Sequence, residues 1–257
     1  MQVCLASQAV LGPGLADWPA AHAVLQGRAP YVPGPAPDPA PTLLPATERR
    51  RASASVRWAL AVAQQALDGR EADAVATVFA SCGGDGMITH QICEALAAPQ
   101  GVVSPTRFHN SVHNAPAGYW SIATHSRAAS TSLGGFEGSF AIGLLEAAAQ
   151  AAVERRSVLL VAYDLPYPEP MHALWPVAHP FAAALLLDPP GSGPTAFRVA
   201  LRPGAVRTAW PPTIPAGFQS NPAAQALPLL AACLRAGPPA LALPYDGESH
   251  VAVEVLQ

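Results

Sequence analysis

Continuous apolar runs, several of them rich in β-branched residues, recur along the chain and predict buried β-strands. The clearest examples are AVATVFA at residues 74–80, SVLLVAY at 157–163 and PFAAALLL at 180–187. The predicted strands are residues 3–10, 74–80, 129–133, 157–163, 180–187, 197–201 and 251–256. Strands that are apolar throughout are typical of a sheet covered on both faces.

Segments with helical periodicity separate these strands. Residues 53–67 carry apolar positions at helical spacing, and residues 139–155 are almost all apolar or small, which predicts a helix buried on most sides. Further helices are predicted at residues 89–97, 116–123 and 221–235, the last with Gly237 as its C-terminal cap. Alternating strands and helices predict an α/β fold with a mostly parallel mixed sheet flanked by helices.

Two segments break this pattern. Residues 29–45 are rich in proline and predict an extended surface segment within a single domain that spans residues 1–257. Residues 105–119 (PTRFHNSVHNAPAGY) are polar and predict irregular structure, with a helix beginning near Pro116. We expect the proline-rich segment at the surface.

Charge and composition exclude several functional classes. Hydrophobic residues make up 51% of the chain and charged residues 12%, with a net charge of −3, so nothing favours a nucleic-acid partner. The only basic run, Arg49 to Arg51, is typical of a solvated helix start. The N-terminus lacks the features of a signal peptide, and no apolar run reaches about 18 residues, so we expect a cytoplasmic protein without a membrane span.

The four cysteines, Cys4, Cys82, Cys93 and Cys233, form no CxxC pair, so neither a metal site nor a cofactor is predicted. Cys82 follows a predicted buried strand and has His90 eight residues later, which makes a nucleophilic pair one interpretation. A small buried residue at the end of a strand is the favoured interpretation, because no oxyanion motif accompanies the pair.

Two other patterns have structural and chemical interpretations. His109 and His113 stand at i, i+4 and would share a helix face, as metal ligands do, but no third ligand accompanies them. The glycine-rich segment 83–86 (GGDG) lacks the Lys-Ser/Thr of a P-loop. We therefore favour a structural role for both histidines and a tight turn for the glycines.

One stretch carries a family resemblance. Residues 104–143 contain Asn-Ala-Pro-Ala-Gly-Tyr at 114–119, a short strand at 129–133 and an apolar helix that begins near Gly138. This order resembles β-ketoacyl synthases of the thiolase fold, and the resemblance extends over roughly residues 50 to 190. The string FHNSVHNAPAGYWSIAT is similar to short ketosynthase-like proteins called chain length factors, from aryl polyene and related pathways.

The resemblance implies a subunit without chemistry of its own. Laying the family's helix on Ala141-Ile142-Gly143 places the nucleophilic cysteine at Gly135, which has no side chain to form a thioester. The two histidines that assist condensation come from a C-terminal half in the family, and His250 does not match their motifs. We therefore expect a non-catalytic chain length factor and no cofactor.

The same resemblance implies a complete ketosynthase as partner in a heterodimer, with acyl carrier protein reached through the complex. Candidates for the wall of an acyl tunnel are Gly134, Phe136, Glu137 and Phe140. Candidates for the interface are strand 129–133 together with Phe108, His109, Asn110, His113, Asn114, Ala115, Ala117 and Tyr119. Two alternatives stay open, namely an independent thiolase-fold acyltransferase that uses Cys82, and a scaffold with no influence on product length.

Overall fold

The computed structural model describes residues 1–193, 195–234 and 240–256. Within these residues eight strands form one mixed sheet. They are β1 (Gln2–Leu11), β2 (Val75–Ala80), β3 (Ser130–Leu133), β4 (Ser157–Asp164), β5 (Phe181–Asp188), β6 (Ala196–Pro203), β7 (Ala240–Pro244) and β8 (Ser249–Leu256). All seven predicted strands are confirmed, and β7 was missed.

The strand order across the sheet is β3-β2-β4-β5-β1-β6-β8-β7. Strand β2 pairs in parallel with β3 and β4, whereas the other five pairings of described strands are antiparallel. The mixed α/β sheet is confirmed, but the prediction that it is mostly parallel was wrong. Apolar composition reports burial on both faces of a strand and carries no information about the direction of its neighbour.

Nine α-helices lie in the described residues. They are α1 (Trp18–Leu25), α2 (Ala46–Arg51), α3 (Ala54–Leu67), α4 (Gly86–Ala97), α5 (Pro105–Asn110), α6 (Ala115–Thr124), α7 (Ser139–Glu154), α8 (Met171–Leu174) and α9 (Ala226–Cys233). Short 3-10 turns cover Ala72–Ala74, Phe136–Gly138, Ala216–Ser220 and Pro222–Gln225.

The helix predictions hold for α3, α6 and α7 within one residue at each end. Segment 105–119 was predicted to be irregular, yet it contains α5, because Pro105 suits a first helical turn. The helix predicted at 221–235 is a 3-10 turn followed by α9, and its proposed cap, Gly237, lies outside the described residues. Helices α1, α2 and α8 were missed, and Arg49 to Arg51 lie in the last turn of α2 and not at a helix start as predicted. Residues 30–41 form no regular element.

Two hydrophobic cores lie on opposite faces of the sheet. Strand β4 alternates between them, since Val158, Leu160 and Ala162 pack on the side of α7 whereas Leu159 and Val161 pack on the side of α3. This is the period of two expected of a strand whose faces are both covered. The sheet therefore lies between α7 and α3, and the carboxyl ends of its strands remain available for a site.

Two local devices set the ends of α3. The Ser53 hydroxyl accepts a hydrogen bond from the Val56 N–H at 3.4 Å and caps the N-terminus. Asp68 ends the helix in the left-handed conformation at φ 53°. Asp85 caps α4 in the same way as Ser53 caps α3, because its Oδ1 accepts the Ile88 N–H at 3.0 Å.

Candidate functional site

The carboxyl ends of the three mutually parallel strands meet at one edge of the sheet. Ser81 and Cys82 follow β2, Gly134 follows β3, and Asp164 is the last residue of β4. Ligands gather at this edge in α/β sheets. Five residues from three segments converge here, and we call them the strand-end cluster: Ser81, Cys82, His113, Asp164 and Tyr167.

Asp164 is the centre of this cluster. Its Oδ1 accepts hydrogen bonds from the Ser81 hydroxyl at 2.9 Å and from the Cys82 N–H at 2.7 Å. Its Oδ2 has no hydrogen-bond partner among the described residues. Burial raises the pKa of Asp164 to about 7, against the smaller lowering effect of these hydrogen bonds. Near neutral pH the carboxyl therefore holds a proton in part of the molecules.

Cys82 is poorly suited to act as a nucleophile. Burial, and next the charge of Asp164, raise the pKa of its thiol to about 11. Its proposed partner His90 instead contacts Glu94, with Nε2 and Oε1 3.3 Å apart. The described residues thus include no hydrogen bond between Cys82 and His90. This environment agrees with a structural role for Cys82, although the residue is half-buried and not buried as predicted.

The glycine-rich loop after β2 is shaped by an aromatic ring. A β-carbon on Gly83 would lie 2.6 Å from the Tyr167 hydroxyl oxygen, and one on Gly86 would overlap the Tyr167 ring. Gly84 has φ 66°, which favours glycine. Close packing of Tyr167 therefore accounts for the glycines that were predicted to form a tight turn.

Gly134 and Gly135 lie at the mouth of the cluster, where the resemblance places the family's nucleophile. A β-carbon on Gly134 would lie 2.8 Å from the Ser81 carbonyl oxygen and 3.3 Å from His113 Nε2. A β-carbon on Gly135 would overlap Cδ1 of Ile142. Backbone atoms exclude a side chain at Gly134, and the Ile142 side chain fills the space beside Gly135.

The next turn opens into a cleft of about 430 Å³. We call it the aromatic cleft, and it is lined by the turn 135–138, Trp175, Arg207 and residues 244–247. The rings of Phe136 and Trp175 stack there with centroids 5.8 Å apart. Glu137 Oε2 lies 2.9 Å from an Arg207 guanidinium nitrogen, and both side chains are exposed.

Phe140, the fourth candidate for the tunnel wall, lies elsewhere. It is on the first turn of α7, is 1% exposed and packs in the core on the α7 side of the sheet. The structure therefore separates Phe140 from Phe136 and Glu137. A substitution at Phe140 therefore acts first on the packing of the core and not on a ligand-accessible cleft.

The predicted interface residues divide by burial. Asn110, Ala115 and Tyr119 are buried, and the Asn110 amide donates to the Arg51 carbonyl oxygen at 2.8 Å. Phe108, His109 and Asn114 are exposed, whereas His113 and Ala117 are half-buried. The surface that can meet another protein is therefore carried by these last five residues.

An open groove of about 540 Å³ runs between α6 and the sheet edge. We call it the edge groove, and it is lined by His113, Asn114, Ala117, Gly118, Ser130 and Ser132. Strand β3 is an outer strand of the sheet, with β2 as its neighbour. Three predicted interface residues and two serines of the predicted interface strand are thus brought together at one surface.

His109 and His113 do not share a helix face, because α5 ends at Asn110. The His109 ring contacts the Tyr119 ring with centroids 5.8 Å apart. His113 Nε2 lies 3.0 Å from the Ser81 carbonyl oxygen, so this nitrogen carries the hydrogen. In the described part of the chain no group of three or more His, Cys, Asp or Glu residues is placed to hold a metal ion.

Sequence reasoning missed Asp164, Tyr167 and Trp175. A signal for Asp164 was present, because a carboxylate directly after the apolar run SVLLVAY is unusual at the end of a buried strand. Tyr167 and Trp175 follow in a proline-rich loop without a periodic pattern, so only the folded chain brings them to the strand ends.

Among the described residues, no helix combines the length and apolar character that crossing a membrane requires.

Comparison with known proteins places this geometry in a family. The family model described as "Beta-ketoacyl synthase, N-terminal domain" matches residues 24–245. A search of curated proteins gives no match. The resemblance predicted from residues 104–143 is thereby confirmed.

Solved structures of low sequence identity share the fold. A chain of the ketosynthase (ApeO) in complex with its chain length factor (ApeC) from Xenorhabdus doucetiae is 24% identical, with 99% of each chain covered and a TM-score of 0.76. A chain of the ishigamide ketosynthase/chain length factor is 13% identical, with 99% of this chain and 98% of that chain covered and a TM-score of 0.76.

A third similar structure is a type II polyketide synthase acyl carrier protein in complex with its ketosynthase bound to the hexaketide (AntDE:AntF). The matched chain is 14% identical, with 79% of this chain and 69% of that chain covered and a TM-score of 0.62. The predicted thiolase-like fold, a mixed sheet flanked by helices, is confirmed by these similarities.

Proposed function

Because the chain belongs to the β-ketoacyl synthase N-terminal-domain family, we propose that it is a non-catalytic chain length factor that pairs with a complete ketosynthase. The pair elongates acyl or polyene chains held on acyl carrier protein, in a type II fatty-acid- or polyketide-like pathway of the aryl polyene kind. The chain described here shapes the acyl tunnel and stabilises its partner, and its own residues form no covalent intermediate.

The observation that carries this proposal is Gly135. The family's nucleophile is a cysteine, and the sequence has no cysteine between Cys93 and Cys233. The Ile142 side chain fills the space that a side chain at position 135 would need. In this proposal no thiolate opens the helix after β3, because glycine has no side chain that could carry one.

Two of the matched structures support the same proposal. Two matched chains belong to ketosynthase/chain length factor complexes, and the match covers 99% of one of these chains and 98% of the other. The matched chain of the complex with acyl carrier protein is longer, since 69% of it is covered. These matches favour a role for the chain within a ketosynthase/chain length factor complex.

Strand β3 supplies the contact surface in this proposal. The Ala129 and Leu133 carbonyl oxygens accept hydrogen bonds from the Thr77 and Ser81 N–H groups of the β2 side. Alternate residues of a strand face the same neighbour, so the main-chain groups of Ser130 and Ser132 point away from β2. A free edge of this kind pairs readily with a strand of a partner.

Apolar side chains near this edge favour a protein partner. Phe108 and Val112, on and just after α5, are 68% and 50% exposed. On α4 the only buried residue is Gly86, and Met87 and Leu96 are 46% and 60% exposed. Helices that expose this much apolar surface are typical of interfaces, where a partner removes it from water.

The independent-enzyme alternative is disfavoured by the Cys82 thiol, whose raised pKa leaves almost no thiolate at neutral pH. The scaffold alternative differs from the proposal in one observable, the length of the product. Phe136, exposed in the aromatic cleft, is the wall candidate best placed to act on a ligand.

The test is co-expression with a ketosynthase encoded beside this chain, followed by size-exclusion chromatography with mass determination. We expect a one-to-one complex whose elongation activity requires this chain. Ser132→Pro removes an outward N–H without touching the β2 ladder and should abolish the complex, whereas Ser132→Ala keeps the N–H and should preserve it.

Products of the Phe136→Ala complex should differ in length from those of the unchanged complex. A chain that stays monomeric or homodimeric with every ketosynthase tested would overturn the proposal. A stable complex with unchanged product lengths would instead support the scaffold alternative.

A further inference from the structure

Phe136 stands in a conformation that stability alone does not favour. Its φ of 50° lies in the left-handed region, where a β-carbon is strained and glycine is preferred. Its ring is also 63% exposed to solvent. Strain at a residue that also exposes a large apolar side chain is typical of functional sites.

The exposed ring is part of a supported platform. Phe136 stacks on Trp175 with an angle of 20° between the ring planes, and Trp175 is 39% exposed. Behind Trp175 lies Tyr167, with ring centroids 6.4 Å apart. Tyr167 is itself packed against Gly83 and Gly86. The platform is therefore anchored to the loop after β2.

The opposite wall of the aromatic cleft is fixed by backbone packing. A β-carbon on Gly138 would overlap the Tyr245 carbonyl oxygen, so the turn 135–138 is seated directly on the loop after β7. Residues from four segments far apart in sequence line the resulting space of about 430 Å³. This volume is in the range of small-molecule sites, which are concave and carry few polar groups.

The charges at the cleft restrict what can bind. Glu137 and Asp246 are acidic, and the one basic lining residue, Arg207, is paired with Glu137. An anionic ligand would meet an excess of negative charge. A neutral ligand with a flat conjugated system would stack on the Phe136–Trp175 platform, since aromatic faces favour offset stacking.

We propose that the aromatic cleft is a binding site for a neutral, planar, conjugated acyl group, such as an aryl-enoyl thioester. The identification of the ligand as an acyl group rests on the proposed function. The cleft is formed by described residues of this chain, so the experiment measures binding to this chain without a ketosynthase. Failure of the pairing with a ketosynthase and failure of this site are therefore separate results.

The experiment titrates the full-length chain with trans-cinnamamide, a neutral planar probe, by saturation-transfer difference NMR. Two comparison ligands are 3-phenylpropanamide, which is not conjugated, and trans-cinnamate, which is anionic. We expect saturable binding of trans-cinnamamide and weaker binding of both others. Trp175→Leu should weaken binding about tenfold, the size of a lost aromatic stack.

Phe136→Gly is the decisive variant, because it removes the ring and relieves the strain at positive φ. It should lose binding while its thermal midpoint stays equal or rises. Val153→Ala, which removes an apolar side chain that is 78% exposed on α7, is the matched control and should bind as the unchanged chain does. Absence of saturable binding, equal binding of the three ligands, or full binding by Phe136→Gly would each overturn the inference.

Discussion

Replacing Asp164 by asparagine tests the electrostatics of the strand-end cluster. The carboxyl is 1% exposed, and its Oδ2 has no hydrogen-bond partner among the described residues. Asparagine keeps an oxygen that can accept from Ser81 and Cys82, and it stays neutral at every pH. The two proteins therefore differ chiefly in whether this position can ionise.

The sign of the effect follows from the direction of the pKa shift. The pKa of Asp164 is raised from 3.8 to about 7 by burial, so between these values the folded protein binds a proton that the unfolded chain has lost. The free energy of unfolding therefore falls as the pH rises through this window. The slope is about 1.4 kcal/mol per pH unit, and the full span of roughly three units is worth about 4 kcal/mol.

The assay is urea denaturation of both proteins at pH 5, 6, 7 and 8. From pH 5 to 8 the difference in unfolding free energy should move by about 3 kcal/mol in favour of Asp164→Asn, because the variant lacks the ionisation cost. Asp188 should contribute little to this difference, because pairing with Arg70 lowers its pKa and moves its effect on the unfolding free energy to more acidic pH. Parallel stability curves over this range would refute the reasoning.

Two further predictions concern the same region. Gly138→Ala should destabilise the protein by about 1–3 kcal/mol in thermal or urea denaturation, because its β-carbon would overlap a backbone oxygen. The control Gly247→Ala should change little, since a β-carbon there meets open space. Equal effects of the two substitutions would contradict this packing. In timed iodoacetamide labelling at pH 8, the exposed Cys93 should react well before Cys82, of whose thiols roughly one in a thousand is ionised. Faster labelling of Cys82 would revive the independent-enzyme alternative.

The family of this protein was predictable from local sequence. The order of motif, strand and apolar helix around residues 114–143 resembles the family whose model matches most of the chain. Strand and helix positions followed as well, because burial on both faces leaves a continuous apolar run in a strand, and burial of one stripe leaves a period of 3.6 in a helix. Such patterns depend only on residues that are close together in the sequence.

Strand direction and the composition of the site depend on contacts between distant residues. An apolar strand such as β5 packs equally well with parallel or antiparallel neighbours, so its pattern did not reveal the antiparallel pairings. Trp175 and Tyr245 meet Phe136 only because the loops after β4 and β7 close over the turn that follows β3. The sequence by itself determined the family and most of the elements, whereas the tertiary structure decided the burial of Asp164 and the aromatic cleft, since both arise from long-range packing.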